Sequence, residues 1–206
     1  PREEITAYHE AGHAIVASVL PYADPVHKVS IISRGRAAGY TLKLPFDDKK
    51  MQSKKEFLDD IAVSLGGYIA EKMMFDDLTT GASNDLQVLT GLARDMVTRY
   101  GMSDRFGAIA LEAGQGRTMF GSGLEGTEVS EVVSGQIDEE VNKIVKSSYK
   151  RAEEVMEKHR GAFEAIAKRL IEVETIERDE FEDILRAHNI TPKQKLDIEH
   201  VTPVAA

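Results

Sequence analysis

From Glu3 to Val19 no proline interrupts the chain, and inside that run stands His9-Glu10-Ala11-Gly12-His13, followed by Ala14, Ile15 and Val16. Glu3 and Glu4 suit the positive end of a helix dipole, and Pro21 closes the segment. The pattern predicts a helix over residues 3–19. On a helix, positions four apart face the same way, so His9 and His13 can offer two imidazoles to one point. Glu10 lies about 100° around the axis from His9, beside that point. Gly12 is costly in a helix interior, by about 1 kcal/mol relative to Ala. A cost of that size asks for a reason in packing or close approach.

His-Glu-x-x-His is the spacing by which one helix holds two metal ligands and a base. Zinc there lowers the pKa of a bound water to about 7 and polarises a carbonyl, while the glutamate takes the water's proton. The competing reading is two unrelated histidines on a partly buried helix, and the interior glycine argues against it. Cysteine is absent, which excludes disulfides and thiolate metal sites and fits a reducing compartment. Any metal must therefore be held by His, Asp or Glu.

A catalytic zinc usually takes three protein ligands and keeps one open position. Two acids compete for the third place. Glu71 follows the small-residue turn Gly66-Gly67 within a helix, and Asp85 stands at the start of the next helix. Read locally, Asp85 is more simply an ordinary acid favoured by the helix dipole. Spacing does not decide between them.

The chain has 206 residues, 42% hydrophobic and 30% charged, enough for a sizeable core. A net charge of −9 without a basic cluster argues against nucleic acid as a partner. No apolar run approaches the roughly 20 residues that span a bilayer. Val26 to Ser33 is a β-branched run, and Tyr40 to Leu44 alternates apolar and polar residues. With a turn at Arg34-Gly35-Arg36 between them, these predict a hairpin or two neighbouring strands. Ser53-Lys54-Lys55-Glu56 is a capping box opening a helix whose Phe57, Ile61, Leu65 and Ile69 share a face. That helix breaks at Phe75-Asp76-Asp77. Ser83 is the expected N-cap of a helix running to Tyr100, with Gly101 as its stop. Residues 113–126 are a glycine-rich loop without the Gly-Lys-Ser/Thr ending of a nucleotide P-loop. A long charged helix is expected from Ser130 to about His159, broken by Arg160-Gly161, then helices over 162–173 and 179–187.

The expected fold class is mainly α, with a small β element near the N-terminus. Residues 1–190 form one domain, its helix and β element within 1–50 and an all-helical remainder over 51–190. Residues 191–206 form a flexible tail. The start at Pro1, with charged residues leading straight into a helix, reads as a soluble piece of something longer.

The His9–His13 motif, Val26 to Ile32, Gly66-Gly67, Ala70-Glu71 and Thr79-Thr80-Gly81-Ala82-Ser83-Asn84-Asp85 follow one another in order, with Tyr100 to Ser103 after them. Together they resemble the peptidase domain of the FtsH family of membrane-anchored, ATP-dependent AAA zinc proteases. Ile137 to Val141 and Tyr149 to Ala152 extend the likeness, which spans about residues 3–187. The resemblance implies that His9, His13 and Asp85 bind one zinc per chain and that Glu10 is the general base. It favours Asp85 over Glu71 as third ligand and gives Glu71 a supporting role. It also implies unfolded or membrane protein substrates and a homo-hexamer with an AAA ring. The ATP-using ATPase module and the membrane anchor are absent from this chain. The full-length protein would lie in the bacterial cytoplasmic membrane with its peptidase domain facing the cytoplasm. The sequence departs from the family's Gly-Gly-Arg-x-Ala-Glu-Glu pattern at Tyr68 and Lys72, which puts interactions around that helix in doubt.

The expected function is therefore a zinc endopeptidase, hydrolysing unfolded or translocated proteins by a metal-activated water. The alternative is a non-catalytic oligomerisation module whose metal only ties helices together. Tyr40 to Leu44 is either an amphipathic strand on a core or an exposed edge that receives extended substrate by strand addition. His27, His159, His188 and His200 have no partner at metal spacing and read as ordinary residues.

Overall fold

The computed structural model describes residues 2–33, 35, 38–45, 51–112 and 129–194. The turn expected at 34–36 falls largely outside them, and the glycine-rich loop at 113–126 and residues 195–206 lie wholly outside them. The fold is mainly α, as expected, with a small antiparallel sheet.

Helix α1 (Arg2–Val19) is the centre of the molecule, with every residue from Ala7 to Ala17 buried. Its alanines and Gly12 make that burial feasible, because small side chains let neighbouring backbones close in on several sides. Helix α2 (Lys54–Phe75) lies against it and opens on the expected capping box. Ser53 Oγ accepts from the Glu56 backbone N–H, and Glu56 Oε2 accepts from the Ser53 N–H at 2.6 Å. It closes at Asp76, whose positive φ of 51° stops the helix. Where α1 and α2 cross, a Cβ on Gly12 would lie 2.3 Å from the Gly66 carbonyl oxygen, and one on Gly66 2.6 Å from that of Gly12. The interior glycine thus has its reason: the two backbones touch.

Helix α3 (Ser83–Thr98) begins differently from expectation. A 3-10 turn, Thr80–Ala82, leads directly into it, and Ser83 already has helical φ and ψ of −61° and −39°. An N-cap needs extended backbone, so Ser83 cannot serve. Thr79 does, with extended φ and ψ and an Oγ1 that accepts from Gly81 N–H at 3.1 Å. Helices α4 (Glu131–Lys158) and α5 (Arg160–Val173) divide at His159, next to the expected break, and α6 (Arg178–Ala187) follows.

Strands β1 (Val26–Ser30) and β2 (Tyr40–Lys43) pair antiparallel, with an irregularity between Val26 and Lys28. The remainder after residue 51 is not all-helical, because β3 (Thr175–Glu177) pairs antiparallel with β1. Three residues carry too little pattern to register as a strand, and this one exists through its partner. The sheet order β2-β1-β3 leaves β2 at an edge.

The first residues of the expected tail, 191–194, are described. Lys193 Nζ donates to the carbonyls of Ala17 and Leu20, both at 2.6 Å, and to that of Ala23. A cation there meets the negative end of the α1 dipole.

Candidate metal centre

The buried half of α1 presents His9 and His13 toward α2 and the start of α3, and Glu10 toward β2. Each imidazole is held through its Nδ1. His9 Nδ1 donates to Glu71 Oε1 and His13 Nδ1 donates to the Val63 carbonyl, both at 2.7 Å. With Nδ1 protonated, each neutral ring turns a lone pair outward at Nε2. Those Nε2 atoms lie 3.1 Å apart, and Asp85 Oδ2 lies 3.2 Å from both.

Two lone pairs and a carboxylate oxygen on one small triangle repel one another unless a cation or proton sits among them. The edges fit a tetrahedral zinc, whose ligand–ligand separations are about 3.3 Å for bonds near 2.0 Å. His9, His13 and Asp85 are, among the described residues, the group of side chains whose ligand atoms lie close enough together that they could hold such an ion.

The charge balance agrees with the geometry. Burial, the largest effect on His13, disfavours its cation. Its bond to Asp85, the charges of Glu10 and Asp85 and the Val63 carbonyl outweigh burial and raise its pKa above 6.5. Burial also opposes the Asp85 carboxylate, but the bonds from His13 and His9 hold its pKa well below the usual carboxylate range.

The structure brings Asp85, and not Glu71, to the two Nε2 atoms. Glu71 is fully engaged elsewhere: Oε1 accepts from His9, and Oε2 accepts from the Thr79 backbone N–H at 2.7 Å. One carboxylate thereby connects the helix that carries the histidines to the turn that delivers Asp85. Gly67 belongs to the same arrangement, since a Cβ there would lie 2.4 Å from Cε1 and Nε2 of His9. The sequence shows Gly67 only as half of a small-residue turn, because its task depends on a ring carried by another helix.

Glu10 lies at the side of the triangle facing the sheet. Its Oε2 accepts from Thr41 Oγ1 at 2.8 Å, so a residue of β2 touches the acid between the histidines. Polar Thr41 thus turns toward α1, while Leu42 and Leu44 are 40% and 41% exposed. No residue of β2 is buried, which is unlike an amphipathic strand covering a core.

Tyr68 and Lys72, where the sequence departs from the FtsH pattern, share a neighbour on α4. The Tyr68 ring meets that of Tyr149 edge-on at 6.3 Å, and Lys72 Nζ lies 5.9 Å from the Tyr149 centroid.

Among the described residues no helix is long and apolar enough to cross a membrane. The sequence model of peptidase family M41 matches residues 1–184. The chain is similar to the ATP-dependent zinc metalloprotease FtsH of Rubrobacter xylanophilus, 43% identical over 189 residues that cover 91% of this chain and 29% of that protein. It is 46% identical over 183 residues to the ATP-dependent zinc metalloprotease FtsH 1 of Sphaerobacter thermophilus, covering 88% and 28%. With FtsH of Thermotoga maritima the identity is 46% over 188 residues, covering 90% and 31%. The chain thus spans about three-tenths of the length of these relatives.

Proposed function

Because the chain belongs to peptidase family M41, we propose that it is the zinc-dependent endopeptidase domain of an ATP-dependent, membrane-anchored protease. The observation that carries this reading is the triangle of His9 Nε2, His13 Nε2 and Asp85 Oδ2, whose edges of 3.1–3.2 Å suit a tetrahedral ion. Zinc bound there supplies a Lewis acid that lowers the pKa of a water to about 7 and polarises the scissile carbonyl.

The chain's own residues do the rest. Glu71 and the Val63 carbonyl fix the tautomers of His9 and His13 through Nδ1 and so keep both Nε2 atoms free to ligate. Asp85 supplies the third, anionic ligand. Glu10, beside the triangle, accepts the proton of the attacking water and passes it to the leaving amine. Among the described residues the group offers three ligand atoms, and a zinc held by three would keep a fourth position for water, which favours a catalytic site over a closed structural one. Substrate enters extended and pairs with the edge strand β2. Backbone pairing accepts many sequences, and the outward Leu42 and Leu44 offer apolar contact to alternate side chains.

The longer relatives support a wider reading. Residues 1–190 form the peptidase domain of a protein whose AAA ring uses ATP to deliver unfolded or membrane proteins to a hexameric chamber. That assembly is anchored in the bacterial cytoplasmic membrane, with the peptidase side facing the cytoplasm.

The test uses the full-length protein with an unfolded substrate. Glu10→Gln should keep one zinc per chain and lose proteolysis by about 10²–10⁴-fold, the contribution of a general base. Full activity in that variant would remove Glu10 from the mechanism. Asp85→Ala should release zinc to a chelator much faster than Glu71→Ala, and the reverse order would make Glu71 the ligand.

A further inference from the structure

Two residues, one in β2 and one just before it, bear on Glu10 and on nothing else in the candidate metal centre. The first is the hydroxyl of Thr41, 2.8 Å from Glu10 Oε2 and 3.3 Å from the Glu10 backbone carbonyl. The second is Gly39, which is buried just before the strand. A Cβ there would lie 3.0 Å from Glu10 Cγ, 2.9 Å from Thr6 Cγ2 and 2.8 Å from the Ser30 carbonyl oxygen. The Ser30 contact is with the backbone of β1 and cannot swing aside, while the other two are with side chains of α1, so Gly39 fits where β1 and α1 both close in at the level of Glu10. One residue admits the stem of the acid and the other holds its tip. Neither touches His9, His13 or Asp85 by a hydrogen bond described above.

We propose that Gly39 and Thr41 are positioning residues that bind the Glu10 carboxylate to the edge strand, so that a peptide paired with β2 is placed in register with its base. This rests on the reading of Glu10 as base and β2 as substrate edge. The physical reason is leverage. A glutamate side chain has three rotatable bonds, and a free carboxylate beside a triangle of ligands samples several positions. The Thr41 bond selects one of them. Because Thr41 is itself part of β2, a shift of the strand carries the base with it, and the distance from peptide to base is conserved. A hydroxyl is suited to this role because it restrains one oxygen and leaves the other free to accept a proton.

The experiment compares Thr41→Val, Thr41→Ser and Gly39→Ala in the full-length protein, with an unstructured fluorogenic peptide as substrate. Thr41→Val keeps size and β-branching but loses the donor. Its kcat should fall about 10- to 100-fold, as for a misplaced catalytic group, while KM stays within about 2-fold. Thr41→Ser restores the donor and should recover kcat to within about 3-fold of wild type. Zinc per chain should be unchanged in both. So should the affinity of the Glu10→Gln, Thr41→Val double variant for uncleaved peptide, relative to Glu10→Gln alone, read by fluorescence anisotropy. Gly39→Ala should repeat the loss of kcat. If it fails to fold, the Thr41 pair still decides the matter. Wild-type kcat in Thr41→Val, a defect that Thr41→Ser does not repair, or a loss carried by KM or by zinc would overturn the proposal. An active Glu10→Gln single variant would instead remove the base reading on which it stands, and that result is read independently of the Thr41 series.

Discussion

Gly67 lacks a side chain in the one place where the His9 ring leaves no room for one. A Cβ placed 2.4 Å from Nε2 must move either the ring or the helix. The ring is the softer element, although its bond to Glu71 resists rotation. Gly67→Ala should therefore lower zinc occupancy by about tenfold or more at a fixed chelator concentration, comparable to removing a group that orients a ligand. Far-ultraviolet circular dichroism should stay near wild type, because alanine is itself a good helix former. Unchanged zinc affinity would show that α2 yields rather than His9. At this scale the sequence was informative about chemistry and poor about support. His9, Glu10 and His13 were legible because a helix converts a spacing of four into a shared face. Asp85 was not decided by local reading, since an acid at a helix start has an ordinary explanation. The patterns that hold Gly67, Thr41 and Gly39 do not reveal their tasks, because what these residues do depends on atoms far away in sequence.

Among the elements, the contact between α1 and α2 carries the most consequence. Gly12 and Gly66 meet backbone to backbone at the crossing, and this brings Val63, Gly67 and Glu71 into reach of the two histidines. Gly12→Ala sets two effects against each other. Helix propensity gains about 1 kcal/mol, whereas overpacking a tight core costs about 1–3 kcal/mol and more where a backbone carbonyl is the obstacle. The clash wins, because a separation of 2.3 Å cannot be relieved by a side-chain rotation. Thermal unfolding should show a Tm below wild type, and zinc affinity should fall with it as the Nδ1 partners draw away. A stabilised variant would mean that the helices separate freely. Most of the elements were readable from capping and periodicity, and α2 opened on its capping box as expected. The start of α3 was misassigned by sequence because the 3-10 turn feeds into it, leaving Ser83 helical and moving the cap to Thr79.

For the whole molecule, the candidate metal centre joins α1 to α3, and protons would compete with an ion for it. Without metal, His13 has a raised pKa and Asp85 a lowered one. A raised pKa contributes stability fully below the unfolded value of 6.5 and loses it as pH rises through the folded value. A lowered pKa contributes above the unfolded value of 3.8 and loses it as pH falls through the folded value. This pair therefore stabilises the metal-free chain most between about pH 4 and 6.5, and the stabilisation weakens as pH rises through the raised pKa of His13. Zinc binding needs the imidazoles deprotonated. The rise in Tm on adding zinc should accordingly be larger at pH 8 than at pH 5.5, measured by differential scanning calorimetry on chelator-treated protein. An equal or inverted shift would mean that the ion does not bind through these rings.

Taken by itself, the sequence determined the helical class, the capped start of α2 and the two-histidine half of the metal centre. Each follows from forces acting within a few residues: dipole, capping, period and the shared face of positions i and i+4. The tertiary structure brought to the imidazoles the acid that local reading had left open and the family resemblance had favoured, Asp85, and it gave Gly12 its reason. It also brought β3 across from the far end of the chain to complete the sheet, leaving β2 as the edge against Glu10. Those outcomes depend on how closely two backbones approach and which distant polar groups then satisfy each other. Such distances are set by packing the whole core at once, so no window of sequence contains them.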